Sequence, residues 1–105
     1  LRAEVSAVVH AHPAAVQGLS RAGGIPDCSL LIEGGLLLGA VARVPALPPG
    51  SLELAEATAH ALAHAPACVL ERHGAVTVGS TVDQALWRML VLERLAALTL
   101  ENGQA

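Results

Sequence analysis

The chain has 105 residues, enough for one hydrophobic core and too few for two, and 53% of them are apolar against 14% charged, a balance far from that of a disordered segment. Six arginines and nine acids leave a net charge of −3, and with no lysine there is no amine for a Schiff base or a lysine-held pyridoxal cofactor. Trp87 is the only aromatic residue of the Phe/Tyr/Trp set, and the arginines (Arg2, Arg21, Arg43, Arg72, Arg88, Arg94) are scattered, which excludes the basic stripe and stacking platforms of a nucleic-acid binder.

The shortage of charge, against roughly 25% in an ordinary soluble domain, points to apolar surface that meets another subunit or a missing segment. The chain opens on leucine, so a trimmed or partial polypeptide is expected. Val5 to His12 is an apolar, β-branched run stopped by Pro13 and reads as a strand. Pro13 suits the first turn of a helix to about Arg21, with Gly23-Gly24 as its stop. Ile25 to Leu38 fits neither period, and its glycines argue for a bend with some strand or helix turn. The longest apolar stretch, Leu30 to Ala42, carries Glu33 and three glycines and falls short of the roughly 20 residues of a membrane span. The N-terminus carries no signal-peptide pattern, and no membrane attachment is expected.

Val41 to Val44 reads as a short strand, and Pro45 to Gly50 as a rigid connector. Ser51 is placed to cap a helix to about His64, with Leu52, Ala55, Ala59 and Leu62 at helical spacing. Ala67 to Glu71 and Ala75 to Gly79 read as strands joined by the turn Arg72-His73-Gly74, with Gly74 expected at positive φ. Ser80 and Asp83 match a capping box for a last helix ending before Gly103, with Leu86, Leu90, Leu95 and Leu98 expected to be buried. Cys28 and Cys68 lie far apart without a C-x-x-C pattern, which fits buried reduced thiols and a cytoplasmic protein.

His10 and His12 are the sharpest local feature. On a strand, side chains at i and i+2 share one face, so two imidazoles aim at one spot: half a metal site, or two polar residues on an exposed face. His73, at a glycine-bearing turn between strands, can project over the same sheet end as a third ligand, or cap backbone carbonyls there. His60 and His64 stand one helical turn apart and, with Glu56, read as a solvated face. Glu33 is the one acid between Asp27 and Glu53, in apolar company where a carboxylate is costly unless used or paired: it is the candidate acid/base, or a surface residue at a bend. Glu71 reads as the outward residue of an edge strand, Cys68 as core.

In order along the chain, Ala7-Val-Val-His-Ala-His-Pro13, Pro45-Ala-Leu-Pro-Pro-Gly-Ser-Leu-Glu-Leu-Ala-Glu56, and Val69-Leu-Glu-Arg-His-Gly-Ala-Val-Thr-Val-Gly79 followed by Gln84-Ala-Leu86 resemble the class II aldolase/adducin family. The resemblance covers nearly the whole chain and rests on the His-x-His-Pro strand and the later His-Gly turn occurring together. It implies an α/β fold, a three-layer α/β/α domain with a largely antiparallel central sheet, in one domain over residues 1–105 with its N-terminal part missing. It implies a divalent ion, Zn²⁺ or another, on His10, His12 and His73, and a catalytic role for Glu33. The implied activity is a metal-dependent lyase of aldolase type acting on a phosphorylated ketose or related hydroxy-carbonyl compound through a stabilised enediolate. Dehydratase, 4-epimerase and the non-catalytic assembly role of the adducin head are the alternatives. The family's enzymes are usually homotetramers with active sites between subunits. Its phosphate-binding loops precede the His-x-His strand, so no phosphate-binding residue is assigned, and the aldolases' tyrosine proton donors have no counterpart in a chain without tyrosine.

Overall fold

The β-branched run before Pro13 forms β1 (Ala7–Ala11), two residues short of the expected start and one short of the expected end. Pro13 then opens α1 (Ala14–Arg21), which stops at the glycine pair as expected. The ambiguous stretch resolves into a 3-10 turn at Cys28–Leu30 and a π turn at Gly34–Leu38. β2 (Ala42–Val44), α2 (Leu52–Leu62), β3 (Ala67–Leu70), β4 (Gly74–Gly79) and α3 (Val82–Glu101) complete the order. The computed structural model describes residues 4–103; Arg2 lies outside the described residues.

The strands line up as β1-β4-β3-β2. β1 pairs antiparallel with β4, His10 opposite Val76, and β3 antiparallel with β4, while β2 and β3 run parallel. The sheet is therefore mixed, which corrects the expectation of a largely antiparallel one. The cause is the connection: α2 carries the chain back across the sheet between β2 and β3, and strands joined by a helical crossover end up parallel.

Alternation along β3 and β4 divides the core. Ala67, Val69 and Ala75 pack with Val16 and Leu19 of α1 and Met89, Leu92 and Leu95 of α3. Cys68, Leu70, Val76 and Val78 face the other way and pack with Leu54 and Leu62 of α2 and Val44 of β2. Buried hydroxyls are satisfied locally: Thr77 donates to the Ala85 carbonyl at 2.6 Å, and Thr99 donates to the Leu95 carbonyl at 2.7 Å while accepting from the Asp27 N–H. Arg88 ties three elements together, donating to the Leu37 and Val78 carbonyls. Cys28 is half-buried and Cys68 buried, both free; burial pushes the Cys68 thiol up to about 11.

Both long helices match the expected stripe only in part: Leu62 of α2 and Leu95 of α3 are buried as expected. On α3, Leu90 is 61% exposed and Leu86 is exposed too, while Ala85, Met89, Leu92, Leu95 and Ala96 are buried. On α2, Leu52 is 73% exposed, and Leu54 and Leu62 carry the contact. Residues large enough for a core occupy both faces of each helix, so spacing alone picks out only part of the buried stripe. Ser51 caps α2 as expected, its hydroxyl accepting from Leu54 N–H. At α3 the cap is Thr81, not Ser80, because Thr81 is the residue whose hydroxyl reaches the Gln84 N–H; the Gln84 carbonyl oxygen returns to the Ser80 N–H.

Candidate metal centre

The alternation of β1 sends Val9 and Ala11 into the α1/α3 core and leaves Val8 and His10 on the α2 side. His12 stands one residue beyond the strand, where i+2 geometry still directs its ring toward that of His10, centroid to centroid 4.9 Å. The third ring comes from the turn between β3 and β4. His73 lies 5.2 Å from His10 and 5.1 Å from His12, centroid to centroid. One ligand nitrogen from each of the three lies within 4.8 Å of the others.

This donor set suits a divalent d-block cation. A point equidistant from three nitrogens at that limit sits about 2.8 Å from each, against about 2.1 Å for a zinc–nitrogen bond, a gap that side-chain rotation closes. Three protein nitrogens also leave the open position that a catalytic ion needs. The His10 ring is already oriented for coordination. Its Nδ1 lies 2.9 Å from the Ala75 carbonyl oxygen, which can only accept, so the proton is on Nδ1 and the Nε2 lone pair is free. Burial holds the His73 pKa below its ordinary value, with further lowering from the neighbouring His10 and His12 charges, so this ring stays neutral and ligand-competent further into the acid range.

The turn that carries His73 is held by α1. Gln17 Nε2 donates to the His73 carbonyl at 2.7 Å, and the Arg72 N–H donates to the buried Ser20 hydroxyl at 2.8 Å. Arg72, not Gly74, takes the left-handed conformation, at φ 58°. Gly74 is required for another reason: a Cβ there would collide with the Ala11 carbonyl and come within 2.8 Å of the His12 ring. Only a glycine lets β4 approach the histidine strand this closely.

Glu33 is brought elsewhere. It precedes the π turn with its side chain exposed, as for a surface residue at a bend, and it is not part of the three-histidine group. The π turn packs on the 3-10 turn and α3, and Gly34 is buried against the Cys28 backbone, where a Cβ would not fit. Glu71 gives its backbone N–H to Val44, and among the described residues its carboxylate holds no imidazole. His60, in the last turn of α2, and His64, in the turn after it, are exposed with centroids 5.4 Å apart, at a separate recess with Arg43 and Pro45.

Sequence reasoning missed Gln17 and Ser20, whose partners lie 56 and 52 residues away, and it missed Glu93. Both oxygens of that α3 carboxylate accept from the first turn of α1, Ala15 N–H at 2.8 Å and Val16 N–H at 3.0 Å. A signal existed: α1 has neither a capping side chain nor an acid in its first turn, so its free N–H groups had to find a partner from elsewhere.

A cleft of about 420 Å³ opens beside the histidines, between α2 and the β1/β4 side of the sheet, with His10 and His73 at its margin and Val8, Leu54, Leu62 and Val76 in its walls. Among the described residues no helix is long and apolar enough to cross a membrane.

Residues 1–100 match the family model described as the class II aldolase and adducin N-terminal domain. A 3,4-dihydroxyphthalate decarboxylase of Arthrobacter keyseri is 35% identical over 110 residues, covering 99% of this chain and 44% of that protein. An L-fuculose phosphate aldolase of Methanococcus vannielii is 34% identical over 97 residues, covering 90% of this chain and 50% of that protein. Among solved structures, the L-fuculose-1-phosphate aldolase of Thermus thermophilus superposes with a TM-score of 0.83 at 31% identity, covering 96% of this chain and 55% of that one. The chain thus spans about half the length of the curated relatives it matches.

Proposed function

The chain belongs to the class II aldolase/adducin family, and from that premise we propose that it is the metal-binding portion of a divalent-metal-dependent lyase that breaks a carbon–carbon bond next to a carbonyl or carboxyl group. The observation that carries the reading is the convergence of three imidazole nitrogens within 4.8 Å. His10, His12 and His73 hold the ion, zinc or another divalent d-block metal. Bound there, the ion supplies Lewis-acid polarisation and stabilises the negative charge that develops as the bond breaks, worth several kcal/mol without a lysine imine.

The remaining work falls to the chain. The Ala75 carbonyl fixes the His10 tautomer, and α1 holds the His73 turn by Gln17 and Ser20. Glu33 is assigned the acid/base role, its exposed carboxylate meeting the histidine cluster of an adjoining subunit in a homotetramer. The substrate class we favour is a phosphorylated ketose or related hydroxy-carbonyl compound, on the strength of the aldolase relatives. The decarboxylase relative supports a second reading, loss of carbon dioxide from a hydroxylated aromatic acid, in keeping with the largely apolar walls of the cleft beside His10. The free thiols accord with a reducing, cytoplasmic setting.

Metal analysis of the purified protein is expected to find a stoichiometric divalent ion that the His10→Ala substitution removes; unchanged metal content in that variant would overturn the assignment. Turnover of dihydroxyacetone phosphate with small aldehydes, and of dihydroxylated aromatic acids, each with and without chelator, separates the two substrate readings. Mixing Glu33→Gln with His10→Ala protein is expected to restore part of the activity that each variant lacks, because one intact composite site forms between them.

A further inference from the structure

Two contacts from α1 hold the turn behind the histidines, and one residue of α3 anchors that helix. α1 begins two residues after His12 and has no cap of its own: Pro13 occupies the N-cap position and offers no side-chain acceptor. The free N–H groups of that first turn are met by Glu93, one carboxylate oxygen each on Ala15 and Val16, at 2.8 and 3.0 Å. A charge-assisted, two-point contact at the positive end of a helix is among the stronger fixings available to a half-buried carboxylate. The helix so pinned then reaches the third ligand: Gln17 Nε2 donates to the His73 carbonyl and Ser20 accepts from the Arg72 N–H.

We infer that Glu93 is a positioning residue of the metal centre, setting His12 and His73 relative to His10 by fixing the N-terminal turn of α1 on α3. The inference rests on the three-histidine metal reading, and it goes beyond it in naming a residue that touches neither ion nor substrate. His12 leads directly through Pro13 into the pinned turn, and the turn carrying His73 is held by the same helix, at the His73 carbonyl by Gln17 and at the Arg72 N–H by Ser20. Rotation or sliding of α1 therefore moves two of the three ligands together. His10 is exempt, because β1 and the Ala75 carbonyl hold it independently.

The neutral isostere Glu93→Gln keeps one acceptor oxygen and puts an amide NH₂ against an N–H donor. Cobalt(II) titrated into the protein as a visible-absorbing probe is expected to bind about tenfold or more weakly in this variant, with a changed absorption band, as for the loss of groups that orient ligands from behind. Thr99→Val, which removes a buried hydroxyl from the same helix, serves as the control: it lowers the melting temperature but leaves cobalt affinity and spectrum unchanged. In the metal-free protein, imidazole nitrogen resonances of His12 and His73 are expected to shift in Glu93→Gln, with faster amide exchange at Arg72 and His73, while those of His60 and His64 stay fixed. Glu93→Asp keeps the charge but shortens the reach, gives an intermediate result, and replaces the glutamine variant if that one fails to fold. Cobalt binding and imidazole resonances equal to those of the parent protein, at a lowered melting temperature, would reduce Glu93 to a structural cap and overturn the inference. Failure of the parent protein to bind cobalt would sink the metal reading instead, leaving the metal-free resonances to decide on Glu93.

Discussion

On the α1/α3 face of the sheet, Leu19, Leu92 and Leu95 are wholly buried, whereas on the α2 face Val8 is 54% exposed and His10 stands at the margin of an open cleft. The first face is covered by two helices and two short turns; on the second, α2 packs chiefly over β2 and β3. The two faces thus divide the labour. The covered face supplies the cohesion that keeps α1 and α3 in place, and the partly covered one leaves β1 free to present imidazoles to a ligand.

The sharpest way to break this comparison is to make the same truncation on both faces. Leu92→Ala on the closed face is expected to destabilise by about 3–4 kcal/mol, and Leu54→Ala, beside the open cleft, by about half as much, because the cavity at the margin collapses or fills with water. Denaturant unfolding of the two variants measures this, and equal losses would show that the α2 face contributes as much cohesion as the other. The next largest effect belongs to the metal. Zinc at a hundredfold excess over its dissociation constant is expected to stabilise the protein by about 2.7 kcal/mol. His10→Ala removes that increment and costs the metal-free protein about 1 kcal/mol through the lost hydrogen bond to the Ala75 carbonyl.

The smallest effect is the pH response of the metal-free protein. The His73 pKa is lower in the folded chain, by burial first and then by its histidine neighbours. The unfolded chain therefore takes up its proton first as pH falls, and the stability contribution is complete above about 6.5, the unfolded value, and lost below it. Melting temperatures between pH 7 and pH 5 are expected to fall less steeply in His73→Gln than in the parent chain.

Much of the centre is legible in the residues themselves. A strand places His10 and His12 on one side by its two-residue period, and a glycine-bearing turn locates His73 at a sheet end, both local rules that hold in the structure. What escaped was nonlocal. The parallel pairing of β2 with β3 depends on where α2 crosses, which no strand pattern encodes. The buried side of α3 is chosen by the small Ala85 and Ala96 fitting beneath the sheet, so the exposed Leu86 and Leu90 mislead any reading by size. Gly74 was recognised as necessary for the wrong reason, because close approach to β1 is visible only once β1 and β4 are paired. Glu33 stands among apolar residues, yet its side chain is exposed just ahead of the π turn, because which side of a bend faces water is a tertiary outcome that neighbouring residue types do not fix.

The pairing of β1 with β4 reaches past this chemistry into how the molecule comes to exist. His10 and the Ala75 carbonyl that orients it are 65 positions apart, and joining them closes a loop over half the chain, an entropic toll that slows formation relative to neighbouring hairpins. During synthesis the first strand leaves the ribosome without its ladder partner and waits through some sixty further additions. On the metal reading proposed above, chelation by all three rings would be a certificate of finished tertiary structure, available to the newborn polypeptide only after β1 and β4 have met.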